Sequence, residues 1–234
     1  MKTDVEGPFG EFPGYLPNDS HEAPVATITC VTFRDNAILP ICCPGVPVDS
    51  TLMTGGFCLA ASSAIILREG GIPVIDAMCP FEASSHWLVV RVSDDWHNIT
   101  GLSTDDFIDK IANVFWTHHV GKACAKVIVV GEDIPPDNID KVVWAFATRN
   151  NPTKGVYHYP QYDSEGTGLQ VYLDVATKMR GRGGLVIYSC LQIPEQVGHP
   201  LEPVLSFETN YPQPVQEKIL EKWSQWGFDQ SSES

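Results

Sequence analysis

Between residues 72 and 189 the chain alternates short β-branched runs with helical segments, and this alternation most constrains its fold. IPVIDAM (72–78), HWLVVRV (86–92), KVIVVG (126–131) and GGLVIYS (183–189) are short and rich in Val and Ile, so they predict strands. Between them, Ser103-Thr104-Asp105-Asp106 is a capping signature that opens a helix to about Trp116. Asp137 or Asn138 caps a second helix through about Thr148. Upstream, TLMTGGFCLAASSAIILRE (51–69) spaces Leu59, Ile65 and Ile66 helically and stops at Gly70-Gly71. Gly55 and Gly56 weaken its first turns by about 1 kcal/mol each relative to Ala. They imply a close approach, by another backbone or by a ligand. Strands alternating with helices predict a layered α/β domain over residues 46–206. Residues 207–234 add an amphipathic helix from Pro212 to Trp226, ended by Gly227, and a low-complexity tail.

The front of the chain, residues 1–45, reads differently. VATITCVTF (25–33) alternates, an Asp35-Asn36 turn follows, and AILPI (37–41) completes a hairpin-like strand pair. CCPGVPVD (42–49) reads as a connector. Turns and strands without helices look like the end of another domain.

Charge narrows the partners. The net charge is −14, which repels phosphate backbones and anionic membrane surfaces. Apolar runs such as Ala60–Leu67 fall short of the ~20 residues that cross a bilayer. The N-terminal sequence MKTDVEGPFG has no apolar core of a secretory signal. Seven cysteines, an odd number with no CxxC spacing, predict small buried hydrophobes in a reducing, cytoplasmic compartment.

The candidate chemistry lies in EGPFGEFPGYL (6–16). Glu6 and Glu11 flank a Gly-Pro-Phe-Gly turn. Pro8 fixes one φ angle and Gly10 permits a positive one, so the segment can fold back. Two carboxylates brought close do not both ionise easily, which gives one proton donor beside one anion. That arrangement suits general acid–base work. By spacing alone, two solvated glutamates on a surface turn are the plainer reading. Phe9 and Phe12 read as core or as pocket walls, and Asp133 with Arg149 as a structural ion pair.

EGPFGEFPGY resembles the signature of the UbiD family of reversible decarboxylases, which use a prenylated flavin. TFRDNAILP (32–40), PFEASSHWLVVRV (80–92), VIVVGEDI (127–134), KVVWAFATR (141–149) and KWSQWGF (222–228) resemble further family blocks in matching order. The resemblance implies that residues 1–45 are the end of a split β-barrel flavin-binding domain and that the α/β domain follows. Family members are about twice this length. The chain thus resembles their C-terminal half, as a fragment, as a mis-started gene product, or as a subunit whose N-terminal half is separate.

By resemblance, Glu11 is the acid that protonates carbon after CO₂ leaves, and Glu6 holds an Arg that binds the substrate carboxylate. The cofactor, prenylated FMN, acts as the electron sink. The family's Arg, its flavin-phosphate ligands and its ligands for a divalent metal (Mn or Mg) and potassium lie upstream of the motif. His119 falls where some members carry a flavin-contacting Lys. His118 and His119 otherwise read as surface or cap residues at a helix end, where the macrodipole favours positive charge. Thr54-Gly55-Gly56-Phe57 falls beside the family's substrate pocket, where two glycines either leave room for a ring or serve helix packing.

The implied activity is non-oxidative, reversible decarboxylation of an aromatic or α,β-unsaturated acid, with hydroxybenzoates favoured over cinnamates. The implied partners are a flavin prenyltransferase and further copies in a dimer or larger homo-oligomer. The alternative is a non-catalytic assembly subunit. No G-x-S-x-G or H-E-x-x-H supports a hydrolase.

Overall fold

The computed structural model describes residues 2–10, 13–16, 20–160, 162, 184–192 and 204–228. The chain divides into two compact units, residues 1–191 and 192–234.

The first unit is built on a five-stranded sheet. Its strands are β3 (Val74–Met78), β4 (Trp87–Val92), β5 (Lys126–Val130), β6 (Val156–Tyr159) and β7 (Leu185–Ser189), in the spatial order β3-β4-β5-β7-β6. The three central strands are parallel and both edge strands antiparallel. The central strands read as unbroken Val/Ile runs because helices cover both their faces. On one face α4 (Ile139–Arg149) packs Val142 and Ala145 onto Val89, Ile128, Val130 and Cys190. On the other, α3 (Thr104–Trp116) buries Phe107, Ile108, Ile111 and Phe115. α1 (Ser50–Glu69) lies against β3 and α3, and α2 (Trp96–Thr100) is a single short turn.

The capping residues act as their chemistry requires. Side-chain oxygens of Asp49, Ser103 and Asn138 accept from Leu52, Asp106 and Lys141 N–H at 2.8, 3.2 and 3.0 Å. Each satisfies one otherwise orphaned donor of its helix. Gly70, the C-cap of α1, is small because α3 passes close: a Cβ there would sit 2.4 Å from Val114 Cγ1.

α1 is, by length and composition, apolar enough to cross a membrane, with mean hydropathy 1.6 over 18 residues. The sequence reading missed this because it counted unbroken apolar runs, and Ser62, Ser63 and Thr54 interrupt this one. Here about a third of α1 is buried, with Leu52, Gly56, Ala60, Ala64 and Leu67 among its covered residues.

The front differs from expectation. A short antiparallel pair forms from β1 (Thr3–Glu6) and β2 (His21–Pro24). The expected strand pair over 25–33 and 37–41 does not form: only the turn at residues 35–36 is made. Strand propensity alone does not order a hairpin without a surface to cover it. The cysteines split accordingly. Cys79, Cys124 and Cys190 are buried, whereas Cys30, Cys42, Cys43 and Cys58 are exposed, contrary to the uniform burial expected. Three of these four lie in the uncovered stretch.

In the second unit, α5 (Phe207–Asn210) and α6 (Gln213–Lys222) are followed by a 3₁₀ turn at Ser224–Trp226 and Gly227 at φ 85.

Candidate active site

Glu6 closes β1 opposite His21 of β2, with the carboxylate 3.4 Å from His21 Nε2. Both side chains are about half exposed or more, at 48% and 68%. The described partner of Glu6 is therefore an imidazole. Glu11 and Phe12 lie outside the described residues. Phe9 is 47% exposed, so it is no core residue. The fold-back expected at Gly10 is made instead at Gly7 and Gly14, which carry φ of +80 and +86. Gly14 also meets the connector closely: a Cβ there would lie 3.0 Å from Gly45 O and Val46 Cα. The motif loop is thus laid against residues 44–46.

Immediately after the motif, Pro13 and Tyr15 wall a cavity of about 520 Å³. Its other walls come from Pro47, the Glu82–Trp87 loop, Lys126 at the start of β5, and Ile139 and Val143 of α4. Strand register explains why these residues meet. Trp87 and Lys126 are partners in the parallel β4–β5 ladder, so His86 lies one residue from the level of Lys126. A cavity of this size, largely apolar with a few converging polar groups, has the character of a small-molecule site.

The His86 loop is shaped by two successive left-handed residues, Ser84 (φ 49) and Ser85 (φ 56). Such conformations cost of order 1–3 kcal/mol each and persist only where the surroundings hold them. This loop brings Ser84 O to 2.7 Å from His86 Nδ1. A carbonyl only accepts, so Nδ1 carries the proton. Burial lowers the His86 pKa from its ordinary value, the Ser84 carbonyl opposes that shift, and the Lys126 charge adds to it. The ring is a neutral imidazole at physiological pH.

Gly56 serves packing: a Cβ there would meet Cys79 O at 3.3 Å and the Phe81 ring at 3.4 Å. Gly55 faces open space. His119 is exposed just beyond α3, its ring 4.5 Å from that of His118. It is not among the residues lining the cavity. Asp133 and Arg149 form the expected ion pair, bidentate at 2.9 and 2.5 Å. His86, Lys126 and Tyr15 are the site residues that sequence reasoning missed. PFEASSHWLVVRV was visible as a block, but only strand register shows that its His meets Lys126.

Family models match along the chain. The 3-octaprenyl-4-hydroxybenzoate carboxy-lyase C-terminal domain matches residues 52–190, and the Rift-related domain of the same enzymes matches residues 1–47. This chain belongs to the UbiD family. It is 33% identical over 229 residues to the pyrrole-2-carboxylic acid decarboxylase of Pseudomonas aeruginosa, covering 97% of this chain and 45% of the relative. The chain thus spans about half the length of that UbiD relative.

Two solved structures share the fold. The closed form of Sedimentibacter hydroxybenzoicus vanillic acid decarboxylase aligns with TM-score 0.73 and 21% identity, over 97% of this chain and 44% of the other. An evolved dimeric form of the UbiD-class enzyme HmfF from Pelotomaculum thermopropionicum, in complex with prFMN, aligns with TM-score 0.59 and 18% identity. That alignment covers 92% of this chain and 41% of HmfF.

No group of three His, Cys, Asp or Glu among the described residues comes together to hold a metal. His119 and Glu6 both stand outside the lining of the described cavity.

Proposed function

We propose that this chain carries the proton-delivering part of a non-oxidative carboxy-lyase for aromatic acids. The observation that supports this most is the position of the EGPFGE motif. It lies within the stretch matched by the Rift-related domain, and Pro13 and Tyr15, which follow it in the sequence, wall a cavity.

In this reading Glu11 delivers a proton to the carbon that loses CO₂. Glu6 holds the cation that orients the substrate carboxylate, and it exchanges His21 for that cation. Prenylated FMN would be the cofactor and, when bound, would supply an electron sink. Its phosphate and any divalent metal or potassium are held by groups other than the described residues. Tyr15 and Trp87 provide flat apolar walls suited to an aromatic ring. The acid is of the hydroxybenzoate or pyrrole carboxylate type. The protein works in the cytoplasm as a dimer or larger assembly.

The test is production of the chain together with a flavin prenyltransferase and a polypeptide spanning the part of the Pseudomonas relative that lies outside the match, followed by absorbance of the purified assembly and CO₂ release from aromatic acids. Bound modified flavin with turnover is the expected result. A colourless and inactive assembly contradicts the proposal and leaves the second reading, a non-catalytic assembly subunit. The chain's coverage of 45% of the Pseudomonas relative supports that alternative.

A further inference from the structure

The polar end of the cavity holds a residue that the sheet pattern does not call for. Residues 126, 128 and 130 of β5 share one face. Ile128 and Val130 pack beneath α4, while Lys126 continues their row to the end of the sheet and lines the cavity. Its register partner Trp87 stacks on Phe146 of α4, with ring centroids 6.2 Å apart. Lys126 thus stands beside an aromatic wall, and its charge is felt by His86. A half-buried ammonium in a core-facing row costs desolvation, which a ligand-binding role explains.

The two polar groups differ in what they offer. Lys126 Nζ only donates. His86 commits its Nδ1 hydrogen to Ser84 O at 2.7 Å, and burial with the Lys126 charge keeps the ring neutral. Nε2 of such a ring only accepts. A donor beside an acceptor suits a group that both accepts and donates, and a hydroxyl is that group. A carboxylate would satisfy Lys126 but turn its lone pairs toward that of Nε2. Glu82 lines the same cavity and offsets the Lys126 charge there, so the site does not favour a second anion.

We propose that Lys126 and His86 are specificity residues for a ring hydroxyl: its oxygen accepts from Lys126 Nζ, and its hydrogen is donated to His86 Nε2, with the ring against Trp87 and Tyr15. The ligand class is a hydroxylated aromatic acid, held by its hydroxyl here and by its carboxylate elsewhere. The inference rests on the proposed reading of this cavity as the seat of the aromatic ring, and it adds the substituent that the ring must carry. An analogue without the hydroxyl leaves the polar groups of the site unmet, and that penalty is what lets a pocket reject a close relative of its ligand.

The experiment measures binding of 3- and 4-hydroxybenzoate, the matching methoxybenzoates, benzoate and pyrrole-2-carboxylate to this full chain by calorimetry, without flavin. The better hydroxybenzoate should bind at least about 10-fold tighter than its methoxy counterpart and than benzoate, as fits one polar group left unmet. His86→Phe should level the series, and Lys126→Met should weaken the hydroxybenzoate. Nitrogen NMR of His86 reads the same contact without a substitution: the Nε2 resonance should move with the hydroxybenzoate and stay in place with the methoxybenzoate. Equal affinities, no binding of any of these acids, or a preference that survives in folded His86→Phe overturns the proposal. So does tightest binding by pyrrole-2-carboxylate, which would place a carboxylate at Lys126. Turnover by the assembled protein is read separately. Turnover without the hydroxyl preference would sink this inference alone, and the preference without turnover would sink the proposed activity alone.

Discussion

Tyr159 on edge strand β6 donates its phenol hydrogen to Asp109 on α3 at 2.7 Å. It is the middle rung of a ladder. Tyr157 donates to Asp105 at 2.8 Å, and Tyr162 donates to Asn113. The acceptors recur every four residues, so they fall on one helix face, while Tyr157 and Tyr159 share one face of their strand. The ladder ties the sheet edge to α3, and the Tyr159 ring lies 5.3 Å from that of buried Trp116.

Tyr159→Phe keeps the ring and removes the donor to a charged acceptor. Because Asp109 remains partly solvated, the expected loss is about 1–2 kcal/mol. A lower urea midpoint with unchanged m-value reads it. An unchanged midpoint would show that the rung carries no stability.

The same residue gives a signature in alkali. Burial first, and then the Asp109 hydrogen bond and charge, raise the Tyr159 pKa above its ordinary value of 10.0. Burial likewise pushes Cys124 and Cys190 up from 9.0 to about 12. A group whose folded pKa is raised contributes stability fully below its unfolded pKa and loses it as pH climbs toward the folded value. Stability should therefore decline from about pH 9 upward, and Cys190→Ala should flatten the first part of that decline. A flat profile to pH 11 would contradict these burials.

Asp133 behaves in the opposite sense. The Arg149 hydrogen bonds hold its carboxyl below the usual range; burial opposes them, and the Arg149 charge adds to them. A depressed carboxyl contributes above its unfolded pKa and loses that contribution as pH falls through the folded one. Arg149→Met should remove stability at pH 7 and weaken the dependence of stability on pH below about 4. Urea midpoints at pH 3 and pH 7 measure both effects. Equal losses at the two pH values would sink the linkage.

Gly70→Ala places a methyl against Val114 with no backbone objection, since Gly70 has φ −74. Overpacking of this kind costs typically 1–3 kcal/mol. Val114→Ala in the same chain should recover part of the loss, and a double-mutant cycle on melting free energies reads the coupling. Additive losses would place the two residues out of contact.

In the cavity, Lys126→Met removes a charge that holds His86 down. The His86 midpoint followed by NMR should rise relative to the unaltered chain while staying below that of a free histidine. No movement would mean that Lys126 does not face the imidazole.

The α/β unit was legible because its signals are local. Ser103 and Asn138 cap the helices they were expected to cap, and the Val/Ile runs at 87–92 and 126–130 are strands. β6, with the sequence VYHY, was missed because four residues with alternating aromatics carry little signal until Leu185–Ser189 pairs with them. β1 and β2 were missed because TDVE and HEAP are polar and strand-averse by composition. The strand pair at 25–41 failed for the opposite reason: its propensity is high, but no described strand pairs with it. In the site, the Glu6–Glu11 spacing was visible, whereas the meeting of His86 with Lys126 is a product of register across 40 residues.

Glu11 carries the central claim, and one comparison tests it most directly: CO₂ release from an aromatic acid by the flavin-loaded, assembled protein, wild type against Glu11→Gln. The account predicts turnover in the wild type and a loss of roughly 10²–10⁴-fold in the variant, with flavin still bound, as befits removal of a general acid. Equal turnover in the two proteins would contradict it.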